Sequence, residues 1–384
     1  MPGILRHFPL ICTTLLLVAA PDLSACGMCS SLGFRNSSLH EIGSGAGDGG
    51  SAGLAPGGST TAGLGSFGIA IAAGAELFNN TAALAAFQRA ADTWASFISD
   101  PIQITIQANL ADLGNPNTIG SASSVLLQGG FNLIRGAMVA DDPGDPLLQA
   151  LPLLNGFNAT LPPGITLGGD LLLTKANAKA LGFTGLDNAF GISDATITFN
   201  SKFIFDYDRS DGVAAGAIDF ESVALHEIGH ALGFISSVDD VDFAKQNNLT
   251  GTLSPMVFDL FRFSNGDAFD PSNLSQFTSF PRFLDSGGSA VFDTIDTEWA
   301  LSTGAFTGDG RQASHWVDGP PSIQSIGAMD PTLAFGQVFG PTAADLRVLD
   351  LIGYNVIPEP SSVSVLLSML ILALFHRRRH GQSD

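Results

Sequence analysis

Ile218-Asp-Phe-Glu-Ser-Val-Ala-Leu-His226-Glu227-Ile-Gly-His230-Ala-Leu-Gly233-Phe234 is the stretch whose reading decides the fold. A helix turns about 100° per residue, so histidines four apart project from one face and both imidazoles can bind a single metal ion. Glu227 lies beside them, placed to take a proton from a metal-bound water. Asp219 can cap the helix start, with Glu221 in the favourable first turn, and Gly233 can supply the left-handed residue that stops it. The segment therefore predicts a complete helix that carries a site.

The chain around it has 384 residues and a formal net charge of −20. That length allows a domain of roughly 250–300 residues plus appendages. So acidic a chain lacks the basic patch that neutralises phosphates, which argues against nucleic acid as a partner. The three cysteines, Cys12, Cys26 and Cys29, all precede residue 30, so disulfides cannot staple the main domain.

The termini read as addresses. Arg6, the apolar run Phe8 to Ala20 and the small residues Ser24 and Ala25 predict an export signal over residues 1–25, with ordinary cleavage near Ala25 or a lipid on Cys26 as the alternatives. Residues 26–66 form a leader that is flexible where Gly, Ser and Ala crowd it from Ile42 to Ser66. Its Cys26-Gly-Met-Cys29 is a lone CxxC, read as a local disulfide or unpaired thiols, with a latency thiolate on the metal as the sharper alternative. At the other end Pro358-Glu359-Pro360, the apolar run Val363 to Phe375 and Arg377-Arg378-Arg379 resemble a PEP-CTERM sorting tail over residues 358–380. That resemblance implies an exported protein, secreted or at the surface of a Gram-negative-type bacterium, whose tail meets a membrane sorting peptidase. A plain tail anchor is the alternative.

Between these ends, residues 67–355 predict the folded domain. Phe67 to Ala72 reads as a strand. Thr81 to Ile98 reads as a helix, with Leu84, Phe87, Ala91 and Trp94 on its buried stripe. Ile102, Ile104 and Ile106 alternate with Gln103, Thr105 and Gln107, as in a strand with one face buried. Ser121 to Asp170 reads as strands and irregular loops, with a short helix near Leu147 to Leu151. Thr174 to Leu181 predicts a helix ending at Gly182, and Ala195 to Phe205 a strand. The acidic loop Asp206 to Gly212 reads as a solvated turn, with weak potential for calcium. Val241 to Asn248 suggests a helix. The Phe-rich stretch Met256 to Phe292 gives no legible architecture. Pro341-Thr342-Ala-Ala-Asp345 predicts a capped helix that stops at Gly353.

HExxH alone leaves the ligand set open, because a catalytic zinc takes three protein ligands and keeps its fourth position for water. Of seven histidines, His7, His376 and His380 fall in segments expected to be removed and His40 precedes the flexible stretch, so His315 remains. Its rivals are Asp239, Asp240 and Asp242 just beyond the helix, and Glu298, the only glutamate between Glu227 and Glu359. Zinc accepts oxygen as well as imidazole, which keeps all of them open.

His226-Glu-Ile-Gly-His230-Ala-Leu-Gly233-Phe, then Ser314-His315-Trp316, then Gly327-Ala-Met329-Asp-Pro331 resemble the leishmanolysin type of metzincin zinc peptidase. The short metzincin pattern ends on a histidine where this chain has Ser236. In the leishmanolysin type an insertion separates the third histidine from the helical pair. The resemblance implies an α+β, zincin-like catalytic domain: a mixed twisted sheet, an active-site helix and a methionine turn at Met329. It implies Zn2+ held by His226, His230 and His315, with Glu227 as catalytic base. It is specific at these three motifs and loose over the rest of the domain. No tyrosine follows Met329 closely, which puts a transition-state tyrosine in doubt.

The expectation is therefore an exported zinc-dependent endopeptidase acting on protein or peptide. Ala195 to Phe205 is the candidate edge strand for an extended substrate. The competing reading is a non-catalytic surface or extracellular matrix protein with a structural metal. The sequence leaves cleavage specificity, activation and oligomeric state open.

Overall fold

The computed structural model describes residues 15–19 and 40–42 as backbone strands, and residues 66–266, 269–286, 288–319 and 325–357 in full. The remainder of the expected signal and leader, the three cysteines and the sorting tail lie outside the described residues. In chain order the elements that build the site are β1 (Leu15–Ala19), β2 (Gly68–Ala73), α1 (Thr81–Phe97), β3 (Gln103–Ala111), β4 (Thr118–Ser124), β5 (Ala195–Asn200), α2 (Phe220–Leu232), α3 (Val238–Gln246), β6 (Arg262–Ser264), β7 (Ala290–Asp293), β8 (Glu298–Leu301), β9 (Thr332–Leu333) and α4 (Ala343–Ile352). The architecture is α+β with mixed sheets.

The main sheet has the order β9-β1-β4-β5-β3-β2. Strands β2, β3 and β5 run parallel, and β4 lies antiparallel on β5. The alternation seen in the sequence is realised in β3, where Ile104 and Ile106 are fully buried beside the partly exposed Thr105. Helix α1 is capped by Asn80, whose side chain accepts from the Ala83 amide, and it buries Ala83, Phe87, Ala90, Ala91 and Trp94. Trp94 carries the only polar atom of that stripe, and its indole N–H donates to the Leu225 carbonyl at 2.9 Å, tying α1 to α2.

Two sequence readings need correction. First, β5 is an interior strand, paired with β3 on one side and β4 on the other, so it cannot present an open edge. The strand on the far side of β5 is β4, and β1 lies antiparallel on it while pairing parallel with β9. Second, Phe131–Asp141 is an 11-residue helix inside a stretch read as strands and loops. Gly129 and Gly130 give the sequence before it the look of a loop and Gly136 within it lowers its intrinsic propensity, and burial of Phe131, Ile134 and Met138 overrides that cost.

The Phe-rich stretch becomes legible in three dimensions. Strands β6, β7 and β8 belong to a five-stranded sheet, and Phe258, Phe261, Phe263, Phe277 and Phe292 form a layer of aromatic contacts beside it. Arg282 is buried among them, its guanidinium 4.8–5.4 Å from the ring centres of Phe157, Phe263 and Phe277.

Candidate metal centre

Helix α2 forms where the sequence placed it. The Asp219 side chain accepts from the Ser222 amide, and Gly233, at φ 124°, closes the last turn. Arg209 reaches both Asp219 and Glu221, and Arg89 also pairs with Glu221, so the acidic start of the helix is clamped by two guanidiniums. The loop expected to be a solvated turn supplies one of them. Within that loop Asp206 accepts from the amides of Asp208 and Ala214, and Asp208 accepts from Ser210. Its carboxylates serve the backbone, and the loop is absent from the clusters of metal-competent side chains among the described residues.

His226 and His230 lie on one face of α2, and His315 arrives from a loop 85 residues beyond His230. The three Nε2 atoms stand 2.9, 3.1 and 3.2 Å from one another. Each Nδ1 lies against a carbonyl: Ala328 for His226 at 2.9 Å, Phe234 for His230 at 2.8 Å and Gln312 for His315 at 3.0 Å. A carbonyl can only accept, so each Nδ1 carries the proton and each neutral ring turns a bare Nε2 lone pair toward the other two. Burial drives the same outcome, pushing His226 down to about 4 and His230 and His315 well below the usual histidine range.

Three lone pairs converging without a proton between them repel, and a cation at the centre relieves that repulsion. Nitrogens held at about 2.0–2.1 Å in tetrahedral angles lie about 3.3 Å apart, so the observed spacing fits a zinc-type donor set. The backbone carbonyls on Nδ1 are the outer partners that orient ligating imidazoles. No fourth His, Cys, Asp or Glu among the described residues joins this group.

None of the carboxylate rivals joins the three imidazoles, and Asp239, Asp242 and Glu298 are employed elsewhere. Asp239 accepts from the Ala305 and Ala313 amides, and Asp242 from Ser286 and Thr307, fastening the loop that precedes His315. Glu298 sits with Asp270 and Asp293 in a separate cluster. Ser236, where the short motif loses its histidine, donates its amide to the Ser314 hydroxyl at 2.9 Å, beside His315. Asp259 in turn accepts from the Ser236 hydroxyl and the Ser237 amide, holding the segment after α2 in place.

Met329 is fully buried beneath α2. A Cβ added at Gly229 would lie 2.3 Å from the Met329 sulfur, so the glycine of the helical motif is what lets that side chain approach. Asp345 organises the turn: it accepts from the amides of Ala328, Met329 and Thr342 and from the Trp316 indole. The sequence revealed Asp345 as a capping-box residue of α4. Its grip on the turn that presents the Ala328 carbonyl to His226 had no sequence signal. Neither tyrosine enters the site, since Tyr354 donates to the Leu232 carbonyl and Tyr207 accepts from Asn80.

Glu227 is fully buried and faces β4. A Cβ at Gly120 would lie 2.5 Å from one Glu227 carboxylate oxygen, so β4 passes against that carboxylate at its glycine. Gly120 was missed in the sequence, although a lone glycine in a strand is a signal of close approach. Comparison of the chain with family models, curated proteins and solved structures finds no match.

Proposed function

We propose that the chain is an exported zinc-dependent endopeptidase of zincin-like, metzincin-type fold, with His226, His230 and His315 holding the metal and Glu227 as general base. The observation that carries this reading is the convergence of three bare Nε2 atoms at 2.9–3.2 Å, with the carboxylate of Glu227 on the same helix. When bound, zinc supplies a Lewis acid that polarises a carbonyl oxygen and makes a water molecule far more acidic.

The chain's own residues do the rest. The carbonyls on Nδ1 fix the ring tautomers so that all three imidazoles act as neutral donors. Glu227 accepts the proton of the attacking water and returns it to the leaving amine, a role that suits a carboxylate kept from bulk water. Strand β4 is paired with β5 on one side, and loss of β1, which lies within the expected signal over residues 1–25, would open its other side to an extended substrate. That β1 of the same chain already lies antiparallel on β4, with Leu17 opposite Gly120, supports an extended segment being accepted along this edge.

A set of three protein ligands among the described residues favours catalysis over the alternative of a structural metal in a surface or matrix protein, because structural zinc sites are usually closed by four. The test is Glu227→Gln in purified full-length protein. Zinc stoichiometry stays at one per chain, while cleavage of an unfolded protein substrate falls at least ~100-fold. Undiminished turnover would remove Glu227 from the role, and absence of zinc in the wild type would remove the reading itself.

A further inference from the structure

A second cluster lies at the turn of the β7–β8 hairpin. Asp293 and Glu298 are direct partners across the two strands, a position where like charges destabilise the pair. Asp270, from the loop before the Leu274–Ser279 helix, brings a third carboxylate, and one oxygen from each residue lies within 4.8 Å of the others.

Asp293 is only 1% exposed. One of its oxygens accepts the Ile295 amide, while the other, like one oxygen of Asp270, is buried with no hydrogen-bond partner. Buried acceptors left without donors are costly, and three converging carboxylates compound the cost. The cluster of Asp142, Asp145 and Asp350 shows the usual remedy: Arg347 bonds both Asp145 and Asp350. Among the described residues no lysine or arginine is paired with Asp270, Asp293 or Glu298.

We propose that Asp270, Asp293 and Glu298 form a calcium site that clamps the hairpin on which the His315 loop rests. An all-carboxylate donor set without histidine or cysteine selects a hard cation. Calcium's flexible coordination of six to eight oxygens suits three side chains completed by water. The far end of β8 explains what the clamp secures. Leu301 bridges to Trp316, and Ser302 donates its amide to the His315 carbonyl and its hydroxyl to the Trp316 carbonyl. Holding the hairpin turn therefore holds the strand that backs the third imidazole. This inference is independent of peptidase activity.

The test uses the full-length zinc-loaded protein. Calcium at about 5 mM, within the range that extracellular modules require, raises the unfolding temperature by about 2–4 °C. Terbium bound at the site luminesces through Trp299, the neighbour of Glu298, and calcium displaces it. Glu298 is exposed, so Glu298→Gln folds, and it loses most of both responses, as does Asp270→Asn. Asp142→Asn, in the arginine-neutralised cluster, keeps both. The proposal is overturned if calcium leaves the wild-type unfolding temperature unchanged, which would mean that the three carboxyls are held by shared protons. It is equally overturned if Glu298→Gln and Asp270→Asn respond to calcium and terbium as the wild type does.

Discussion

Replacing Gly120 with alanine isolates the contact between β4 and the carboxylate of Glu227. Gly120 is not among the residues with positive φ, so alanine meets no backbone strain there and the perturbation is purely steric. The new methyl would sit 2.5 Å from a Glu227 oxygen, 3.0 Å from its carboxyl carbon and 3.1 Å from Cγ, where ordinary contact begins at 3.4 Å. The carboxylate must then retreat by about 1 Å, and a displacement of that size in a reacting group costs about 100-fold, or ~2.7 kcal/mol of barrier. The metal ligands are untouched. The expected result is full zinc content, a near-native unfolding temperature and kcat/KM for an unfolded protein substrate reduced about 100-fold. Gly120→Ala with wild-type kcat/KM would refute the placement of Glu227 against β4 or its part in the reaction. Loss of zinc together with activity would show that the strand supports the ligands and not the base.

Two further outcomes follow from the packing and the charges. Gly229→Ala places a Cβ 2.3 Å from the Met329 sulfur and 3.5 Å from Trp94 in a fully buried layer, so chemical denaturation is expected to show a loss of about 1–3 kcal/mol. Trimming the obstacle with Met329→Ala should make the double variant more stable than additivity predicts, by at least ~0.5 kcal/mol, and strict additivity would rule out the contact. In chelator, Asp293 sits near 6 through burial first, and Glu298 near 7 through its carboxyl contact with Asp270 first, both above the ordinary carboxyl range. Raised native pKa values mean that the folded state holds more protons than the unfolded one between about pH 4 and 7, so this part of the stability is lost as pH rises through that window. Denaturation at several pH values should show a shallower decline in Glu298→Gln than in the wild type, and identical profiles would count against the cluster.

Helix α2 was legible because its signals are local. The spacing of His226 and His230, the Asp219 cap and the Gly233 stop are all set within 15 residues, and the structure realises each of them. The same holds for the capping box of α4 and for the helix that Thr174 caps. The preference of zinc for imidazole and the Met329 context ranked His315 above the nearer aspartates, and its approach to the other two rings is a fact of folding. Where short-range rules failed, a distant partner had overruled them. The helix Phe131–Asp141 is held by the burial of its apolar face despite its glycines, and β5 lost its presumed edge to β4.

The sequence by itself determined which side chains could bind a metal and which helix would present two of them, since backbone geometry over a few residues fixes those directions. Only the tertiary structure decided that a third imidazole joins them, that Asp345 tethers the turn behind His226 and that Gly120 borders Glu227. Those contacts join positions as many as 107 residues apart, counting from Gly120 to Glu227. They depend on how packed layers bring separate segments together, which local propensity does not encode.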